Sequence, residues 1–287
     1  MLKDKNKKKV LKSKKIIDVV VKTSKKKNVK KGVSNQKSKI IVANWKMNPV
    51  NLKEANKIFS TLKKDNFKKG SHKIIICPPS IYLSDLSSKY KGNKFIFGAQ
   101  NVSWAQNHES TGEISPEMLK NLSVEYVIIG HSERRKIGET NQIIAKKINN
   151  AVENGLKVVL CVGEEVRDIG GEYLHFIQRQ LIESLEGFNK KFVNNLFVAY
   201  EPVWTIGQGN EAINSHELHQ INLFIKKILV NIFDRKIGLA MPILYGGSVD
   251  DENAKELIES GEVSGLLIGR ASLNPYVFLK ILKNITN

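Results

Sequence analysis

Residues 199–209 read Ala199-Tyr200-Glu201-Pro202-Val203-Trp204-Thr205-Ile206-Gly207-Gln208-Gly209, preceded by Leu196, Phe197 and Val198. An unbroken apolar run from Leu196 to Tyr200, without polar alternation, is the pattern of a strand buried on both faces. The run ends on one carboxylate, Glu201. Pro202 stops it there, because proline has no N–H for the ladder and holds the preceding residue extended. The stretch therefore predicts a carboxylate fixed at the C-terminal end of a parallel strand. Beyond it lie an anchor, Val203-Trp204, and two glycines, Gly207 and Gly209, able to absorb large dihedral changes or bring bare N–H groups to a ligand. Residues 203–209 read as a lid over a base. The competing reading of this segment alone is an ordinary βα loop with Glu201 solvated.

Working outward, the same strand signal recurs at Ile40-Ile41-Val42-Ala43, Ile74-Ile75-Ile76, Phe95-Ile96-Phe97, Tyr126-Val127-Ile128-Ile129, Val158-Val159-Leu160, Ile243-Leu244-Tyr245 and Leu266-Leu267-Ile268, eight strands in all. Helical periods separate them: Leu52, Ala55, Ile58, Phe59, Leu62, and later Leu218, Ile221, Ile225, Ile228, Ile232. A further helix is expected over residues 250–259. Eight βα units in about 250 residues is the count and length of an α/β protein of the (β/α)8 barrel type, and a doubly wound open sheet is the structural competitor. The barrel predicts that chemistry collects at strand C-terminal ends.

The chain has 287 residues, 41% of them hydrophobic, enough to bury a full core. It has no run of about 18 apolar residues, so no membrane-spanning helix is expected. Cys77 and Cys161 are far apart and belong to no metal-ligand spacing, so both are expected as reduced, buried, small hydrophobes in a cytoplasmic protein. The net charge of +18 is unevenly placed. Residues 1–38 hold fifteen Lys against two Asp, so +13 sits there and +5 remains for residues 39–287. Residues 1–38 are expected as a disordered basic extension and residues 39–287 as a single domain. The short apolar segment from Ile16 to Val21 is broken by Asp18, unlike a secretory signal, and the absence of Arg is unlike a transit peptide. A solvated tail is the favoured reading of the extension, ahead of an electrostatic contact with nucleic acid or an anionic surface.

Polar residues do cluster after the strands: Asn44-Trp45-Lys46-Met47-Asn48, Gly130-His131-Ser132-Glu133-Arg134-Arg135, Glu201 and its loop, Gly246-Gly247-Ser248, and Gly269-Arg270-Ala271-Ser272. A carboxylate base, an imidazole able to donate to a carbonyl and an ammonium are the parts needed to abstract a proton beside a carbonyl on an anionic substrate. Gly246-Gly247-Ser248 ahead of a helix, with the loop after strand eight, offers backbone N–H groups for a phosphate; tight turns without a ligand are the alternative for these glycines.

These signatures, together with Ile206-Gly207-x-Gly209 and Tyr245-Gly246-Gly247-Ser248-Val249, resemble those of the triosephosphate isomerase family, in order and from about Lys39 to the C-terminus. The family is itself the usual worked example of a neutral imidazole electrophile and of lid closure, so those roles are implied by the resemblance. It implies that Glu201 shuttles a proton between C1 and C2 of dihydroxyacetone phosphate and glyceraldehyde 3-phosphate. His131 polarises the carbonyl, Lys46 supplies positive charge and Asn44 a further donor. The amides of Gly207, Ser248, Gly269 and Arg270 hold the phosphate. Ser132 and Glu133 orient the catalytic groups, and residues Val203, Trp204, Thr205, Ile206, Gly207, Gln208 and Gly209 close over an enediol that would otherwise lose phosphate. No metal or organic cofactor is called for. The long polar connection from Gln100 to Glu113 matches a loop that, in the family, enters the partner subunit of a homodimer, which makes Thr111 a candidate contact to the other subunit's site. The implied place is in glycolysis and gluconeogenesis.

The chain departs from the family pattern at Arg270, where a second glycine is usual, and in the segment after Arg135, a residue shorter than in many members. Arg270 keeps its N–H but adds bulk and charge at the phosphate end, which bears on substrate identity and not on reaction type. The rival readings are a same-fold isomerase of a four-carbon ketose phosphate and, from a different class, a non-catalytic barrel whose basic tail binds nucleic acid.

Overall fold

The computed structural model describes residues 38–106, 109–206 and 212–286. The expected basic extension, apart from Ser38, and the lid residues Gly207, Gln208 and Gly209 lie outside the described residues. Eight strands form in chain order: β1 Ile40–Asn44, β2 Lys73–Cys77, β3 Ile96–Ala99, β4 Val124–Ile129, β5 Lys157–Val162, β6 Leu196–Tyr200, β7 Ile243–Tyr245 and β8 Gly265–Ile268. Each pairs in parallel with the next, and β1 closes on β8 with Ile40 opposite Gly265 and Ile41 opposite Leu266, giving a closed barrel.

Side-chain parity splits the apolar runs into two cores, because successive residues of a strand face opposite ways. Val42, Ile75, Tyr126, Ile128, Val159, Phe197, Leu244 and Leu267 fill the barrel interior. Ile41, Ala43, Ile74, Ile76, Val127, Ile129 and Leu160 face outward onto the helices. The helix Leu52–Lys64 meets them with Ala55, Phe59 and Leu62, and the helix Ser215–Ile232 with Leu218, Ile221, Ile225 and Ile228. Both begin on an Asn whose Oδ1 accepts an amide of the first turn, Glu54 N to Asn51 and Glu217 N to Asn214 at 2.9 Å each, worth about 1 kcal/mol apiece. Both cysteines are free and buried, and both line the barrel interior.

Two expectations need correcting. Phe95 precedes β3 and packs edge-on against Phe59, 5.7 Å between ring centroids. The helix expected over residues 250–259 begins only at Ala254. Asp250 Oδ1 accepts the amides of Glu252 at 3.0 Å and Asn253 at 2.9 Å, and Asn253 Oδ1 accepts Asp250 N at 3.0 Å. Such side chain–backbone bonds compete with the helix for the same amides, so they hold a turn where apolar periodicity suggested a first helical turn.

Candidate active site

Because every strand runs the same way, all eight C-terminal ends meet at one mouth. A cavity of about 510 Å³ opens there, bordered by Asn44, Lys46, His131, Glu201, Gly246, Gly247, Ser248, Gly269 and Arg270. The expected strand-end clusters thus converge, with the exceptions given below.

Glu201 is held from both ends. Its N–H donates to Val162 O at 2.8 Å, continuing the β5–β6 ladder one residue past the strand. A Cβ on Gly163 would fall 1.8 Å from the Glu201 carbonyl oxygen, so only glycine lets the end of β5 pass this close. The carboxylate is 2% exposed; Oε2 accepts the Ser132 N–H at 3.1 Å, and Oε1 lies 3.2 Å from His131 Nε2. Ser132 therefore acts on Glu201 through its backbone. His131 Nδ1 accepts the Glu133 N–H at 3.2 Å in the first turn of the helix Ser132–Lys136. An accepting Nδ1 carries no proton, which leaves a neutral ring whose N–H is at Nε2, on the cavity side.

Lys46 has φ +52°, a left-handed conformation uncommon for a residue with a side chain. Two bonds hold it: its N–H donates to Asn44 Oδ1 at 3.0 Å, and its carbonyl accepts Gln100 Nε2 at 2.8 Å. Strain sustained by surrounding bonds at a cavity wall is the usual mark of a functional position. Lys46 Nζ lies 2.6 Å from Glu133 Oε1, so Glu133 touches both His131 and Lys46. Cys161 offers no second base beside Glu201. Burial, and then the neighbouring Glu201 charge, hold its thiol pKa well above the ordinary value.

At the opposite wall the turn at Asp250 changes the expected anion site. The amides of Glu252 and Asn253 are taken by Asp250, and the helix begins only at Ala254, which does not border the cavity. What remains are the glycine turn, Ser248, and the Gly269–Arg270 segment. Arg270 is exposed and makes no ion pair among the described residues.

The first residues of the expected lid form a 3-10 turn, Val203–Thr205. Val203 N donates to Glu164 O at 2.9 Å, and Trp204 Nε1 donates to Glu164 Oε1 at 3.0 Å. The same oxygen accepts Tyr200 OH at 2.9 Å and lies 2.8 Å from Arg167 Nη1. The Arg167 guanidinium in turn lies 4.4 Å from the Tyr173 ring centroid. Sequence reading missed this Glu164–Arg167 anchor, although Glu164 follows β5 only one residue beyond the level at which Glu201 follows β6. It missed Gln100 as well. Thr111 lies on an exposed turn closed by Glu113 N to Ser110 O at 3.1 Å and does not border this chain's own cavity.

A family model described as Triosephosphate isomerase matches residues 39–285. Among curated relatives, the triosephosphate isomerase of Dictyoglomus thermophilum is 41% identical over 250 residues, covering 86% of this chain and 99% of the relative. That of Aquifex aeolicus is 39% identical over 247 residues, covering 85% and 98%, and that of Borrelia garinii 37% over 253 residues, covering 85% and 98%. With a matching family model over most of its length and relatives aligned almost end to end, the chain belongs to the triosephosphate isomerase family.

Proposed function

We propose that this chain interconverts dihydroxyacetone phosphate and D-glyceraldehyde 3-phosphate, an intramolecular aldose–ketose isomerisation of glycolysis and gluconeogenesis. The observation that carries the reading is the pairing of a nearly buried carboxylate, Glu201, with a neutral imidazole N–H 3.2 Å away, on a cavity that also takes the Lys46 ammonium. Glu201 removes the proton from C1 while the C2 carbonyl is polarised by His131 Nε2–H and the side chain of Asn44. The resulting enediolate is stabilised by Lys46, and Glu201 returns the proton to C2 as the oxygens exchange theirs through His131. Each role falls to a side chain or backbone amide of the protein. Lys46 must leave Glu133 in part to serve the substrate, so Glu133 acts as its resting partner. The phosphate is assigned to the amides of Ser248, Gly269, Arg270 and, from the lid, Gly207. A coupled assay on dihydroxyacetone phosphate, run beside a four-carbon ketose phosphate, tests this. Turnover of the triose at kcat/KM at least about 10⁴ M⁻¹s⁻¹ supports it. Preference for the four-carbon ester, or no turnover of either, would overturn it.

The chain is further assigned as a homodimer. A second cavity of about 870 Å³ adjoins the first, sharing Asn44, Lys46, Asn48 and His131, and is bordered by Glu133, Gln100 and the exposed Met47 and Ile137. Large apolar groups left bare beside a catalytic lysine suit a surface that a partner covers, and the exposed Thr111 turn is the segment assigned to fill it. No helix among the described residues is long and apolar enough to cross a membrane, and a cytoplasmic location is proposed.

Residues 1–38 are assigned as a basic extension that precedes, in sequence, the barrel of residues 39–287. Deleting it is expected to leave kcat, KM and dimerisation within about twofold, while weakening salt-dependent retention on nucleic acid, because fifteen Lys supply most of the net charge. Kinetics of the truncated chain and a salt-gradient retention assay check this. A tenfold loss of kcat/KM would show instead that the segment packs on the barrel.

A further inference from the structure

Ser272 is fully buried, on the 3-10 turn Arg270–Leu273 that follows β8. Both of its donors converge on one acceptor: its N–H reaches Gly269 O at 2.9 Å and its hydroxyl reaches the same oxygen at 2.6 Å. A carbonyl held by two donors cannot rotate without breaking both. In a trans peptide the carbonyl and the next N–H point in opposite directions. Fixing Gly269 O toward buried Ser272 therefore turns the Arg270 N–H outward, where Gly269, Arg270 and Asn274 border the cavity. That N–H has no hydrogen-bond partner among the described residues. The Lys46 chain runs alongside, its Cε 3.3 Å from where a Gly269 Cβ would stand, so the free amide and the ammonium serve the same region.

We infer that Ser272 is a positioning residue for the substrate's phosphate, acting by locking the Gly269–Arg270 peptide so that the Arg270 amide is preset as an anion donor. The inference rests on the proposed triose phosphate reading, and it explains how Arg270 replaces a second glycine there without losing the contact: the donor is the backbone, aimed by Ser272, and the side chain is left in solvent. Without the hydroxyl the peptide keeps one tether and samples orientations in which the amide misses the phosphate.

The test compares Ser272→Ala with the unaltered chain on glyceraldehyde 3-phosphate and on unphosphorylated D-glyceraldehyde. The ratio of kcat/KM for the ester to that for the free aldehyde is expected to fall about fivefold, mainly through KM, as loss of one tethering hydrogen bond predicts. General loosening of the fold would lower both rates and leave the ratio unmoved. A second pair, Arg270→Ala against Arg270→Pro, isolates the donor at an exposed first position of a helical turn where proline is tolerated. The step from Ala to Pro is expected to raise KM for the ester about tenfold, and the Ki of inorganic phosphate with it. An unchanged ratio for Ser272→Ala, or equal KM for the two Arg270 variants, overturns the inference while the unaltered chain still isomerises the ester. No turnover by the unaltered chain would instead overturn the proposed function.

Discussion

Glu201→Gln is expected to lower kcat by about 10⁴-fold or more, at or beyond the upper end of the ~10²–10⁴ that one acid–base group supplies. The substitution preserves shape and can still accept the Ser132 N–H that now reaches Oε2 at 3.1 Å, so the site should stay assembled. What disappears is the carboxylate assigned as the base, and no other group among the described residues at the cavity takes its place. Asp250, which also borders the cavity, has Oδ1 committed to the amides of Glu252 and Asn253, and the Cys161 thiol is kept protonated by burial and, in the unaltered protein, by Glu201. KM should move by much less than kcat, since the phosphate contacts lie elsewhere. Steady-state kinetics with an unaltered circular dichroism spectrum checks this, and retention of a tenth of the activity would end the mechanism proposed above.

The largest expected loss of stability comes from Lys147→Met. Lys147 is 2% exposed, and its ammonium is bonded to Glu139, itself nearly buried, and to Asn101 Oδ1 at 2.7 Å. Glu139 Oε1 also accepts Arg134 Nε, while Oε2 has no hydrogen-bond partner among the described residues. Burial lowers the Lys147 pKa, and the Glu139 bond works against that shift. Methionine fills a similar volume without charge, leaving Glu139 short of one of two cations inside the protein. Breaking one side of a buried pair costs about 3–5 kcal/mol, and the surviving Arg134 contact places this case near 3. For a domain of this size that is a fall in Tm of roughly 6–12 °C. Adding Glu139→Gln should recover part of it, since the unpaired charge is then removed as well. Thermal unfolding of the single and double variants decides: a drop under about 2 °C for Lys147→Met, or a further drop in the double variant, would show that the pair contributes little.

Much of the fold was legible in the chain because its signals are local. The strands of this parallel barrel are apolar along most of their length, and several are stopped by a glycine or a proline, as Pro202 stops β6 and Gly130 stops β4. The positions of Lys46, His131 and Glu201 just past strands one, four and six followed from the same reading. Where a local competitor was strong, the reading failed: Asp250 and Asn253 bind amides that apolar periodicity had allotted to a helix.

What the sequence by itself determined is therefore the order of the elements and the end of each strand at which chemistry sits, since periodicity and chain breakers report how each segment is buried. Only the tertiary structure decided which residues of a strand face inward, because Ile40 and Val42 on one side and Ile41 and Ala43 on the other are equally apolar. It alone also placed Glu201 Oε1 3.2 Å from a histidine seventy residues earlier, hung Trp204 on Glu164, and set Ser272 beneath the Gly269 carbonyl. The first two contacts join residues that follow different strands and depend on β4, β5 and β6 lying side by side in the closed barrel, and such pairings leave no mark in any local window of sequence.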